Sequence, residues 1–247
     1  MSAPEVVREV HADADAVAQA AAQALLALLT TRLAEPGEAH VVLTGGGVAD
    51  RTHRAVAALL HDGDARARDL PWHRVVFWWG DERHVAADSP DRNARQAQEA
   101  LLHLLPESVQ HPMPSTDDEP DLDAAAASYA EVVATRAPTE FDLVMLGVGP
   151  DAHIASLFPG RAGVGVSDGA VIAVPDSPKP PPARVSLTLP RLCAATEVWL
   201  LAAGAEKAEA VAAAADDTRA VDDVPAGGVH GRRRTRWFLD AAAAGTA

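Results

Sequence analysis

Cysteine is almost missing: Cys193 is the only one among 247 residues. No intrachain disulfide can form, and nothing points to an oxidising compartment. Basic residues are scarce too, with 21 Lys and Arg against 35 Asp and Glu for a net charge of -14. That balance disfavours non-specific binding to nucleic acid or anionic membrane, because both require cations to neutralise phosphates. A small phosphorylated metabolite is not excluded, since it responds only to groups within a Debye length, roughly 8 Å at physiological salt. Such a ligand would need a local cluster of Lys, Arg and amide groups.

The first eight residues, Met1-Ser-Ala-Pro-Glu-Val-Val-Arg8, lack the charged and apolar regions of a secretion signal. The apolar stretch 14–33 is interrupted by Asp15, Gln19 and Gln23 and has helical periodicity, so no membrane span is expected there. These absences lead us to expect a cytoplasmic protein. No internal repeat and no long spacer divides the chain, so residues 1–247 are expected to form one domain. Aromatics contribute only 4% although 48% of the residues are apolar; alanine supplies much of that share. The core should therefore be helix-rich and closely packed.

What is present alternates. Ala14, Val17, Ala21, Leu25, Leu28 and Leu29 recur at helical spacing and predict a helix ended by Pro36-Gly37. The run His40-Val-Val-Leu-Thr44 reads as a buried strand, and 49–60 as a helix. The pair repeats as a strand over 74–79 and a helix over 91–105, between Pro90 and Pro106. A helix over 122–137, a strand over 141–146, strand candidates at 171–174 and 184–189, a strand at 198–201, a helix over 205–215 and a last strand at 236–240 complete the pattern. This alternation predicts an α/β fold: a three-layer, doubly wound, mostly parallel sheet with helices on both faces, Rossmann-like in layout. Ligands of such folds bind beyond the carboxyl ends of the strands.

Four predicted strands end in polar or glycine-rich sequence. Thr44-Gly45-Gly46-Gly47 joins a strand to a helix N-terminus, where glycines let backbone N–H groups face an anion; a plain flexible turn fits the same residues. It lacks the Lys-Ser/Thr of a P-loop. Gly80-Asp81-Glu82-Arg83-His84 follows a very apolar run, and the Arg83 guanidinium suits carboxylate or phosphate recognition, although a solvated turn is also consistent. Gly147-Val-Gly-Pro-Asp151-Ala-His153 places a carboxylate two residues before a potential base. Gly204-Ala-Glu-Lys207 puts a lysine in a first helical turn, which the dipole disfavours unless an anion compensates. Arg184, after the connector Ser177-Pro-Lys-Pro-Pro-Pro182, is a further cation that could reach the same rim.

Other patterns lead elsewhere. Gly147 to Ala152 formally fits a dinucleotide fingerprint, but Asp151 would repel a pyrophosphate and Pro159-Gly160 cuts the following helix short. Gly165-Val-Ser167-Asp-Gly169 fits a nucleophile elbow, yet a strand rather than a helix follows, which keeps a serine esterase using Ser167 only as an alternative. Asp81, His84, Asp151 and His153 could hold a metal, but no His-x-x-x-His or Cys pair supports one. Arg232-Arg-Arg234 reads as a solvated turn.

Taken together, Leu43-Thr-Gly-Gly46, Gly80-Asp-Glu-Arg83 with Asn93 downstream, 141–153 with Ser156-Leu-Phe-Pro-Gly160, Arg184-Val-Ser-Leu-Thr-Leu-Pro190, Gly204-Ala-Glu-Lys207 and Trp237-Phe-Leu-Asp240 closely resemble the 6-phosphogluconolactonase family. That family shares a superfamily with glucosamine-6-phosphate deaminase. The resemblance implies hydrolysis of 6-phospho-D-glucono-1,5-lactone without metal or organic cofactor. By the same resemblance, His153 is the general base, Asp151 orients it, and Arg83 serves substrate oxygens or the oxyanion. Thr44, Gly45, Gly46, Gly47, Asp81, Arg184 and Lys207 are the implied substrate and phosphate contacts. The implied partner is a phosphorylated sugar lactone, with no nucleic acid or membrane, and the chain is expected as a monomer or weak homodimer. The deaminase carries a glutamate five residues after its catalytic His, where this chain has Phe158, which favours lactone hydrolysis over isomerisation.

Two departures stand out. The family usually has Ser or Thr and then Pro after the paired glycines, where this chain has Gly47-Val48-Ala49. It also usually has Gly between the Asp and the His, where this chain has Ala152; if the backbone there requires a positive φ, alanine is strained. A weakly catalytic sugar-phosphate-binding protein on the same scaffold is the corresponding alternative.

Overall fold

A computed structural model describes residues 4–246. The chain runs β1 (Glu5–His11), α1 (Ala14–Leu33), β2 (Ala39–Leu43), α2 (Gly47–His61), α3 (Ala65–Arg68), β3 (Val75–Trp79), β4 (Asp81–Arg83), α4 (Asn93–Ala100) and β5 (Val109–His111). It continues through α5 (Leu122–Arg136), β6 (Phe141–Gly147), β7 (Val171–Val174), β8 (Arg184–Leu187), α6 (Leu189–Cys193), β9 (Ala195–Ala202), α7 (Ala208–Ala214), α8 (Pro225–Gly228) and β10 (Arg234–Asp240).

Seven strands form one sheet in the order β1-β10-β9-β6-β2-β3-β5, and every pairing in it is parallel. From β2 the chain moves outward through β3 to β5, then returns to β6 and moves the opposite way through β9 to β10. Right-handed crossovers running in opposite directions place their helices on opposite faces of the sheet. The reversal opens a crevice between the carboxyl ends of β2 and β6, where α/β folds of this kind bind ligands.

The long apolar strands are legible because both of their faces are covered: Val75 to Trp79 and Leu143 to Leu146 are fully or almost fully buried. All ten aromatic residues are buried, with Trp78, Trp79, Trp199 and Phe238 among the largest fully enclosed side chains. The few large rings thus fill the sheet layer, while alanine lets helices approach closely. By length and composition α1 could cross a bilayer. Here Val17, Ala21, Leu25, Leu26 and Leu29 are instead buried, and the helix packs on α2 and β10. Asp13 caps it, accepting from the Ala16 N–H at 2.9 Å.

Several expectations are corrected. The strand candidates at 171–174 and 184–189 are not in the parallel sheet: β7 and β8 pair antiparallel with each other and with β4 in a separate three-stranded sheet. The second ends at Leu187, because Pro190 falls in the first turn of α6. The helix expected over 91–105 is α4 followed by a 3-10 turn at Leu102–Leu104, the break lying at Leu101 with φ -147°. The helix expected over 205–215 opens as a 3-10 turn at Ala205–Lys207 before α7. Strands β1, β4 and β5 were not anticipated. Gly80 joins the two sheets: its N–H donates to Leu43 O at 3.0 Å, and its carbonyl accepts from Leu187 N at 2.8 Å.

Candidate active site

The four polar strand ends follow β2, β3, β6 and β9, which are consecutive neighbours in the parallel sheet. They therefore share one rim.

At the end of β2, Thr44 is buried and its Oγ accepts from Gly147 N at 3.4 Å, tying the turn across the crevice to β6. Gly46 has φ 100°, open to glycine but strained for other residues. Gly45 is needed for a different reason, since a Cβ there would collide with the Asn93 side chain. Among the described residues no side chain caps α2, so its first-turn amides and the positive end of its dipole are left for an anion.

After β3 the alternation of a strand separates three charges. Asp81 and Arg83 project to one side, and Glu82 to the other. Glu82 is fully buried and accepts from the backbone N–H groups of Arg83 at 2.8 Å, Asn93 at 2.7 Å and Ala94 at 2.8 Å. Burial pushes the Glu82 carboxyl up, with Arg92 and these donors opposing the shift. It thereby fixes both the strand and the start of α4. Arg83 Nη1 donates to Asn93 Oδ1, Asn93 Nδ2 donates to Asp81 O at 2.9 Å, and Ser156 Oγ donates to Asp81 Oδ2 at 2.7 Å. The buried Nε of Arg83 has no partner among the described residues.

After β6 the chain folds back tightly. Gly149 N donates to His153 O at 2.9 Å and Ala152 N to Gly149 O at 3.0 Å. This turn sets Ala152 at φ 63° and Ala155 at φ 48°, so the strain foreseen for alanine at position 152 is present. Within it His153 Nδ1 lies 2.5 Å from Asp151 Oδ1, and the imidazole stacks on Phe158 with centroids 4.6 Å apart. Burial alone would push the Asp151 carboxyl up. The hydrogen bond from His153, with the charges of His153 and Lys179, outweighs it and holds the group well below the usual carboxylate range.

Around these turns lies a cleft of about 170 Å³. Of the ten residues singled out from sequence, Thr44, Gly45, Gly46, Asp81, Arg83, His153, Arg184 and Lys207 line it. Gly47 sits in an adjoining recess, and Asp151 stands behind His153. Lys207 pairs with no carboxylate among the described residues; burial, the nearby Lys179 charge second, lowers its pKa. Arg184 reaches the cleft only in part. Its Nε donates to Pro181 O at 2.8 Å and its Nη2 to the carbonyls of Lys179 and Pro180 at 3.1 and 3.3 Å, leaving Nη1 toward Asp81 at 3.8 Å. Most of its donors hold the proline connector.

Other candidates fall outside. Ser167 is exposed in the loop before β7, not on an elbow and not in the cleft lining. His84 turns away, its Nε2 lying 2.8 Å from Glu119 O, and among the described residues no three His, Cys, Asp or Glu side chains gather around one point. Two residues were not assigned from sequence. Asn93 belongs to the family pattern, but its helix N-terminal position conceals that it holds Arg83. Lys179 lies in a segment whose prolines mark only an extended connector, yet its Nζ is 3.3 Å from Asp151 Oδ1 and 3.1 Å from His153 Nδ1.

A parallel α/β sheet with a histidine–carboxylate pair and a cationic, glycine-lined cleft at its switch point has the layout of an α/β enzyme whose cleft suits a small anion. The chain belongs to the family described as glucosamine-6-phosphate isomerases/6-phosphogluconolactonase, whose model matches residues 12–237. It is 46% identical to the 6-phosphogluconolactonase of Streptomyces coelicolor, over 98% of this chain and 94% of that one. It is 44% identical to that of Mycobacterium tuberculosis, over 96% of each. Among solved structures it is similar to the 6-phosphogluconolactonase of Trypanosoma brucei, with a TM-score of 0.82, 28% identity and 99% of both chains covered.

Proposed function

We infer that this chain is a 6-phosphogluconolactonase, hydrolysing 6-phospho-D-glucono-1,5-lactone to 6-phosphogluconate in the oxidative pentose phosphate pathway. The observation that carries the reading is the His153–Asp151 pair, 2.5 Å apart, at the rim of a cleft walled by Arg83, Arg184 and Lys207. Nδ1 facing a carboxylate carries the hydrogen, which leaves the Nε2 lone pair to act as base. That nitrogen takes a proton from water as the water oxygen bonds to the lactone C1. Arg83 offsets the charge that develops on the carbonyl oxygen. The C1–ring oxygen bond then breaks, and the imidazolium returns its proton to the departing ring oxygen. His153 ends neutral, and the new carboxylic acid releases its proton to solvent.

The substrate phosphate rests on the amides of Gly45 to Gly47, which lead into α2, and on Lys207, with Thr44 and Asp81 shaping the pocket wall. The Arg184 Nη1 contributes positive charge from below, while its other donors hold the connector. On this reading the partner is a small phosphorylated lactone rather than nucleic acid or membrane, and the protein works in the cytoplasm as a monomer or weak homodimer.

The test is formation of 6-phosphogluconate by the purified protein, followed through 6-phosphogluconate dehydrogenase against spontaneous lactone opening. Acceleration well above background is expected; a rate equal to background would reject the reading. Tight binding of 6-phosphogluconate without turnover would instead favour the weakly catalytic alternative, for which the strained Ala152 is the specific motive.

A further inference from the structure

Lys179 occupies a built position. Residues 177–182 form a closed loop in which Ser177 N donates to Pro182 O at 3.0 Å, Lys179 N to Ser177 Oγ at 3.2 Å, and Ser177 Oγ to Lys179 O at 3.0 Å. Arg184, only 5% exposed, grips the next carbonyls with its guanidinium: Lys179 O, Pro180 O and Pro181 O. Three consecutive prolines remove most of the remaining backbone freedom. This amount of fixed structure, for a surface loop without regular secondary structure, sets one ammonium against the His153–Asp151 pair.

Two contacts compete there. His153 Nδ1 has one in-plane position, and Asp151 Oδ1 lies 2.5 Å from it while Lys179 Nζ lies 3.1 Å from it. Were Lys179 to donate to the Nδ1 lone pair, that lone pair would also face a carboxylate oxygen at 2.5 Å, which is repulsive. The arrangement that satisfies both distances has Nδ1–H donating to Asp151, with Lys179 hydrogen-bonded to the same carboxylate oxygen at 3.3 Å. The ammonium then meets Nδ1 only through its charge.

We propose that Lys179 is a positioning residue of the hydrolytic reaction: it holds Asp151 ionised and aimed at Nδ1, and its charge opposes retention of a proton on the His153 ring. This rests on the lactonase reading, in which His153 is the base. Lys179 Nζ, 3.1 Å from Nδ1, sets a positive charge against the one the ring takes up when it accepts the proton from water. The other charges facing His153 are Asp81, Arg83, Arg184 and Lys207 across the cleft; Phe158, against its ring face, does not titrate.

The experiment compares wild type, Lys179→Met, Lys179→Arg and His153→Gln. The His153 ring is titrated by NMR, and kcat and KM are measured across the mildly acidic to neutral range with the spontaneous rate subtracted. In Lys179→Met the ring midpoint and the acid limb of kcat/KM should both move up by about one pH unit, the scale of one nearby charge, with KM for the lactone nearly unchanged. Lys179→Arg should stay close to wild type. An unmoved ring midpoint in Lys179→Met would overturn the proposal, as would a large rise in KM with an unmoved acid limb, which would make Lys179 a direct substrate contact. Wild-type activity in His153→Gln would instead reject the base assignment, whereas the ring titration still reports on Lys179.

Discussion

The backbone of Gly149 lies directly under the imidazole of His153: a methyl added at Gly149 would fall 1.8 Å from Nδ1. The same methyl would crowd Asp151 Oδ1. The glycine therefore permits the close approach of imidazole and carboxylate. Gly149→Ala should displace the ring and lower kcat by about a hundredfold, the order of loss that follows a misplacement of about 1 Å. Steady-state kinetics with circular dichroism checks this; an active, fully folded variant would show that the turn has room.

Ala152 is buried at φ 63°. An L-residue in that region costs about 1–2 kcal/mol, whereas glycine costs about 0.4–1 kcal/mol through the added freedom of the unfolded chain. Relief of strain therefore outweighs the entropic loss. Ala152→Gly should stabilise the fold by about 0.5–1 kcal/mol in urea unfolding and leave kcat equal or higher.

Lys207, which pairs with no carboxylate among the described residues, lines the cleft beside the start of α2. Lys207→Ala should raise KM for the phosphorylated lactone about tenfold or more, the worth of a hydrogen bond to a charged group. Turnover of unphosphorylated glucono-1,5-lactone should scarcely change. Equal effects on both substrates would place the phosphate elsewhere.

His53 on α2 is 3% exposed, and burial, with a small opposing contribution from Asp50, lowers its pKa to about 4. The folded state keeps it neutral, while the unfolded chain protonates near pH 6.5. As pH falls from about 7 toward about 4 the unfolded state takes up the proton first, so stability declines across that window. Between about pH 7 and pH 5 the loss attributable to His53 is about 2 kcal/mol. His53→Leu should flatten that part of the urea-unfolding profile.

The sequence pattern reveals most of what positions this site, because buried parallel strands read as apolar runs and their functional ends break into glycine and charge. Val75 to Trp79 followed by Gly80-Asp81 is such a boundary. Strand β1 was not legible for the opposite reason: it lies at the sheet edge, where Val6 and Val10 stay exposed and Glu5-Val-Val-Arg-Glu-Val10 has neither an apolar run nor a period of two. Strands β4 and β5 have three residues each, too short for periodicity to show. The second sheet escaped because antiparallel β7 and β8 resemble candidates for the main sheet until their pairing is known. Lys179 and Asn93 escaped because their roles depend on contacts across the fold, 26 residues from His153 and 10 from Arg83 in the chain.

On the proposed reading, His153 is the base that activates water against the lactone. The direct measurement is kcat for 6-phosphogluconolactone in His153→Ala beside wild type, each corrected for spontaneous opening and each shown to bind 6-phosphogluconate. The predicted result is a loss of about a hundredfold to ten-thousandfold in the variant, the usual contribution of general-base catalysis, with binding retained. Equal rates in the two proteins would contradict it.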